Sequence, residues 1–311
     1  MRTARVAVLS SLLAGVFVTA ASVPVIADGP EGPVGDIGGR SIDAGEIRIL
    51  DLSVPAVRLI DRATLRSSTK RLNGSDVLLD AYGLAATGDG TLWILGGKGR
   101  FLLRFSEKTG ALLERRTLPD PGQGVSALWG RVGLLTVRLR PDEPLLLRLE
   151  GREFLRFSGL ASRPATGIRA ALVRNLFRCG SGTADAIPCW FTAGPAEILL
   201  LGPDGVIRPV AVPSFAQAAS AVSQDPGGAF TFPVRDAFVS EDGLWVLSNQ
   251  EGARTPLDAG ARRGRHVVLL REGRANRVTR LDREARAILD ASPRALVLLF
   301  ADGSVLRVAA P

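Results

Sequence analysis

The chain has 311 residues, of which 46% are hydrophobic and 23% charged, with a formal net charge of +8, two cysteines and a single histidine. That length is ample for one large domain with a substantial core. One histidine excludes metal sites built on two or more imidazoles, and basic residues scattered among acids, without a stripe of stacking aromatics, argue against a nucleic-acid partner.

The chain opens on Met1-Arg2-Thr3-Ala4-Arg5 and continues without charge from residue 6 to 27. A basic start, an apolar middle and small residues at the end predict a secretory signal peptide over 1–27, cleaved after Ala27. The rival reading is a retained membrane anchor, since the stretch is long enough to span a bilayer. Membrane contact is expected only in that case. Residues 28–45 are rich in Gly, Pro and Asp, lack an apolar period, and are expected to be a linker. Residues 46–311 then form the domain.

Within the domain one motif returns: two apolar β-type runs joined by a tight polar turn. It spans 57–72, 102–118, 145–157, 198–212, 267–281 and 296–308. The turns are Asp61-Arg62, Lys108-Thr109-Gly110, Glu150-Gly151, Pro203-Asp204-Gly205, Glu272-Gly273 and Asp302-Gly303. A hairpin that cannot bury its own apolar face must stack on its neighbours. Short strands ending at Gly, Pro or Asp dominate between the turns, and only 216–223 and 283–289 are allowed as short helices, the second reading better as a strand. The expected fold is all-β, a six-bladed β-propeller, with five or seven blades as open alternatives. Strand Ile47-Arg48-Ile49-Leu50 is expected to close the ring by pairing with the C-terminal blade.

The segment Asp89-Gly90-Thr91-Leu92-Trp93-Ile94-Leu95 and the hairpin Leu103-Arg104-Phe105-Ser106-Glu107-Lys108-Thr109-Gly110 resemble the inner strand and hairpin of exported bacterial six-bladed β-propellers of the NHL/TolB-like type. The likeness is sharp over 83–118 and 237–247. It implies the fold. Members of that group include lactonases, lyases and pure binding scaffolds, so it does not convey a chemistry.

Cys179 and Cys189 are expected to form one disulfide, as an even cysteine count in an exported chain suggests. Trp93 and Trp245 hold equivalent positions between aliphatics and read as core; Trp190 reads as packing on the disulfide. Trp129, before Gly130 at a turn, is the tryptophan expected to be exposed and a candidate binding residue. His266 is the only histidine; hydrolase or lyase chemistry would need it near a nucleophile or carboxylate, and it stands at the start of the apolar run 267–270, after an arginine-rich loop. Gly96-Gly97-Lys98-Gly99-Arg100 lacks the phosphate-loop pattern and reads as a hairpin turn.

Asp80, Asp236 and Glu284 each precede an expected inner strand, so a propeller would gather them at one mouth of its channel. There they are candidate binding residues, and Ca²⁺ is the cofactor they would suit. The alternative is ordinary pairing with neighbours such as Arg235 and Arg283. The expected function is a secreted or periplasmic binding scaffold of the cell envelope, for a protein, small-molecule or carbohydrate ligand. Recognition is expected at a channel mouth and at the loops 164–169, 180–188 and 249–265. The alternatives are a Ca²⁺-dependent lactonase-like hydrolase and a purely structural envelope module.

Overall fold

The computed structural model describes residues 33–35, 37–74, 78, 80–136, 138, 140–157, 159–164, 167–182, 185–193, 197–212, 234–248 and 264–310. The expected signal peptide, the helix at 216–223 and nearly all of loop 249–265 lie outside them. No helix among the described residues is long and apolar enough to cross a membrane.

The architecture is a six-bladed β-propeller built from antiparallel hairpins taken in chain order. The first blade holds β1 (Ile37–Ile42), β2 (Glu46–Asp51), β3 (Ala56–Asp61) and β4 (Ser67–Arg71). The second holds β5 (Tyr82–Ala86), β6 (Thr91–Gly96), β7 (Phe101–Ser106) and β8 (Leu112–Thr117). The third holds β9 (Gly122–Leu128), β10 (Arg131–Thr136), β11 (Leu146–Glu150) and β12 (Glu153–Arg156). A short helix, α1 (Ile168–Arg174), leads into the fourth: β13 (Phe177–Cys179), β14 (Ile187–Phe191), β15 (Glu197–Leu201) and β16 (Ile207–Ala211).

The last two blades share one sheet. β17 (Val234–Ser240), β18 (Gly243–Ser248) and β19 (Gly264–Arg271) pair in sequence, and β19 pairs with the first part of the 18-residue strand β20 (Arg274–Ala291). Ala285 is paired on both sides, with Gly264 of β19 and Phe300 of β21 (Ala295–Phe300); beyond it β20 pairs with β21, which pairs with β22 (Val305–Ala309). One strand is thus outermost in the fifth blade and innermost in the sixth.

Burial follows from position within a blade. Second strands are covered on both faces by neighbouring blades, so β6 (Thr-Leu-Trp-Ile-Leu-Gly) is buried throughout and reads as an unbroken apolar run. The outer strand β8 alternates half-buried and exposed residues, as one wet face demands. Trp93, Trp190 and Trp245 are buried in second strands, as expected of core residues. The six expected hairpin turns all join paired strands.

Three expectations are corrected. The stretch 28–45 is not all linker: Ile37–Ile42 is the first strand of the first blade, its Gly-rich composition masking a pairing that only β2 reveals. The segment 47–50 pairs with β1 and β3 inside its own blade, not with the C-terminal blade. The first and last blades meet instead through packing of Ile47, Ile49 and Ile60 against Leu289, Val297 and Leu299. A backbone hydrogen bond from Val34 N–H to the Gly303 carbonyl, 3.1 Å, crosses the same seam. A short helix stands at Ile168–Arg174, outside the two segments allowed one, and the fourth blade begins after it at Phe177. That segment carries two of its apolar residues, Ile168 and Leu172, exposed, so it has no buried stripe to announce a helix.

Candidate functional site

The first strands of the blades crowd the axis. Gly39 of β1 lies so near Gly83 of β5 that an added Cβ would sit 2.6 Å from its backbone; a Cβ on Gly83 would meet Val125 N of β9 at 2.4 Å. Ser181 bridges in parallel to Phe238, and Val239 N–H donates to its carbonyl at 3.0 Å. The Asp236 carboxylate of β17 accepts from Ile288 N–H of β20 at 2.6 Å.

Asp236 also accepts from the Arg40 guanidinium of β1. Those two residues belong to the first and fifth blades, which are not neighbours in the ring, so the ion pair bars the channel. Asp236 is buried and Arg40 nearly so. A buried pair of this kind is retained at a desolvation cost and punishes loss of either partner.

Two further guanidinium groups, those of Arg178 and Arg235, feel this pair electrostatically. Burial pulls Arg178 of β13 below the ordinary arginine value; Asp236 opposes the shift and Arg40 adds to it. Burial does the same to Arg235 of β17, with Glu284 opposing, Arg178 and Arg286 adding, and Asp236 opposing. By its accessible surface Arg178 is nonetheless an exposed residue, so water reaches its side chain. Arginine stays charged even when burial disfavours it.

A cavity of about 240 Å³ opens beside Arg40, at the mouth where the first strands of blades one to four end. Arg40, Asp43, Thr87, Ser126, Trp129 and Ser181 are among its lining. Trp129 sits at a left-handed backbone position, φ 48°, in the turn between β9 and β10. Its ring stacks on Phe157, centroids 6.4 Å apart. Its indole Nε1 and the Arg40 Nε are buried without a hydrogen-bond partner among the described residues. The disulfide Cys179–Cys189 joins directly paired residues of β13 and β14 beside this mouth.

The expected site residues therefore separate. Asp236 and Glu284 both act electrostatically on Arg235. Asp80 stands apart: it is exposed, at φ 59°, with Lys98 Nζ at 4.0 Å as an equally exposed partner. No group of three or more His, Cys, Asp or Glu side chains among the described residues could hold a metal ion. Asp236, already engaged by Arg40 and a backbone N–H, is poorly suited to Ca²⁺, which wants six or more free oxygens. Trp129, expected to be exposed, is half-buried against Phe157 and lines the cavity. Of the expected loops, Gly180 and Gly182 line the cavity, while Ile168 and Arg169 of 164–169 belong to α1. His266 lies within β19, opposite Ser248 and Arg280. Sequence reasoning missed Arg40, Arg178 and Arg286 because arginine is common throughout this chain; only the ring brings these three strands together.

No protein-family model matches the chain, and no curated protein matches it. Among solved structures it is similar to regucalcin from Agrobacterium tumefaciens, a calcium-binding protein: 12% identity, covering 96% of this chain and 98% of that one, TM-score 0.52. It is also similar to a catalytically inactive virginiamycin B lyase from Staphylococcus aureus with quinupristin: 12% identity, covering 94% and 99%, TM-score 0.51. At such identity the likeness shows the propeller fold alone.

Proposed function

We propose that this chain is an exported propeller of the bacterial cell envelope that binds a small polar ligand, a sugar ring or a peptide end, at the mouth lined by Trp129. The observation that carries the reading is the cavity itself, where an aromatic face lies beside two buried donors that find no acceptor among the described residues, Trp129 Nε1 and Arg40 Nε. Buried donors of this kind cost free energy unless something accepts from them. The positive φ at Trp129 adds strain, which in folded proteins concentrates at functional positions. The volume is below the roughly 300–1,000 Å³ of sites for drug-sized ligands, which favours a single ring or a short chain end. Export is supported by the apolar leader over 1–27 and by the Cys179–Cys189 disulfide, a bond that persists in oxidising compartments.

The test has two arms. The chain recovered from the envelope of a bacterial host should begin near Asp28; an intact N-terminus in a cytosolic fraction would remove the export reading. The purified protein is then screened by calorimetry against monosaccharides, disaccharides and short peptides. The expected result is saturable binding that falls at least tenfold in Trp129→Ala while the far-ultraviolet circular dichroism is unchanged. Binding that is indifferent to this substitution would place the ligand elsewhere.

A further inference from the structure

The cavity at Trp129 offers unspent donors and acceptors that are already engaged. Arg40 lines it, keeps 17% of its side-chain surface exposed, and among the described residues donates to Asp236 alone, through Nη2. Its Nε is buried without an acceptor, and so is the Trp129 Nε1. A guanidinium carries five N–H donors in a rigid fork and no acceptor, so most of the capacity of this one is unmatched. Asp236 draws on one Arg40 nitrogen and meets Ile288 N–H with its other oxygen at 2.6 Å, which leaves the rest of the fork for a second carboxylate.

The acceptors of the same lining have partners. Asp43 accepts from Gly45 N–H at 3.0 Å, from Glu46 N–H at 2.9 Å and from the Arg48 guanidinium at 2.5 Å. The Ser41 hydroxyl accepts from Ala86 N–H at 3.0 Å, and the Ser181 carbonyl from Val239 N–H at 3.0 Å. A neutral sugar hydroxyl brings a donor with its acceptor lone pairs, and that donor would compete for engaged oxygens. An ionised carboxylate brings acceptors only and makes charge-assisted bonds to a guanidinium. It supplies what the lining lacks.

We propose that this cavity selects a guest by its carboxylate, which Arg40 and the Trp129 Nε1 hold while the body of the guest packs on the indole. The carboxylate belongs to a peptide end or to a sugar acid, and a volume of about 240 Å³ admits one such unit. The inference rests on the cavity at Trp129 being the binding site and narrows its ligands from polar to acidic. Asp236 becomes a positioning residue, which fixes one nitrogen of Arg40 and leaves the others unspent.

The experiment is isothermal titration of the full mature chain with two pairs of probes at matched ionic strength. One pair is acetyl-alanyl-alanine as free acid and as C-terminal amide; the other is glucuronate and glucose. Matching removes the general response of a basic protein to any anion. In one pair or both, the acid should bind about tenfold more tightly than its neutral partner, the scale of a charge-assisted bond. Preference in the peptide pair alone assigns a peptide end, in the sugar pair alone a sugar acid, and in both a carboxylate read without regard to its carrier. Arg40→Lys keeps a charge for Asp236 but loses the fork, and should lose most of the preference. Arg283→Met, on an exposed residue paired with Asp302, should keep it. If Arg40→Lys does not fold, the acid and neutral probes on the wild type decide. The proposal falls if neutral partners bind as tightly as acids in both pairs, or if Arg40→Lys keeps the preference; binding that still depends on Trp129 then leaves the cavity reading intact. Binding by no probe of either pair also overturns the proposal, while the wider screen of sugars and peptides decides the cavity reading.

Discussion

At the residue scale, two kinds of position matter most: glycines that let strands touch and arginines that the ring turns inward. Gly83 combines φ +84° with a backbone approach that a methyl group would violate. Gly83→Ala should therefore lose about 2–5 kcal/mol, combining left-handed strain with overpacking. Gly151→Ala, at φ +59° but in open space, should lose only about 1–2 kcal/mol from backbone strain. Guanidinium denaturation of the two variants checks the contrast; equal losses would mean that the approach of β1, β5 and β9 at the axis is not tight. Trp129 shows how a single residue was half legible. Its place before Gly130 marked it as a turn residue, and it is one. Its stacking on Phe157, 28 positions along the chain, depends on a contact that no local pattern encodes.

Among the elements, the hairpin turns carry a charge pattern with a consequence in acid. Asp89 is pushed up by burial, but hydrogen bonds from Thr87 and Thr91, with Arg104 nearby, more than offset this and hold it below the ordinary value of 3.8. Asp302 is held lower by hydrogen bonds from the Ser304 hydroxyl and backbone N–H, against slight burial, with Arg283 adding. A carboxyl whose folded value is depressed contributes stability that is fully present above its unfolded value and is lost as pH falls through its folded one. The melting temperature should therefore hold down to about pH 4 and fall below it. The fall should be shallower in the double variant Asp89→Asn, Asp302→Asn; an unchanged slope would show that these turns do not couple to protons. Such turns were legible in advance because an Asp whose side chain caps the next backbone N–H is a local device. β1 was not, since Ile-Gly-Gly-Arg-Ser-Ile has neither a strand run nor a strict alternation. It becomes a strand by pairing with β2.

For the whole molecule, the question is what seals the ring. The seam between the first and last blades is mainly apolar, with Leu289 fully buried among Ile47, Ile49, Ile60 and Val297. Arg62 also crosses it, reaching Asp290 at 2.5 Å and 3.2 Å, and both partners are partly exposed. Leu289→Ala should lose about 2–5 kcal/mol by opening a cavity. Arg62→Ala should lose no more than about 1 kcal/mol, since screened ion pairs contribute little. Chemical denaturation of both variants ranks the two terms, and a larger loss for Arg62→Ala would make the seam electrostatic.

The amino-acid sequence by itself determined the strand-rich class, the hairpins and their turns, the disulfide pair and the buried tryptophans. Each depends on residues close in the chain: alternation, a turn residue, a short loop between cysteines. The tertiary structure alone decided that β20 serves two blades, that the ends meet by packing, and that Asp236 faces arginines. Those features join residues up to about 250 positions apart, such as Gly35 and Arg286. The electrostatic character of a channel is a sum over strands that only the closed ring brings within Coulomb range.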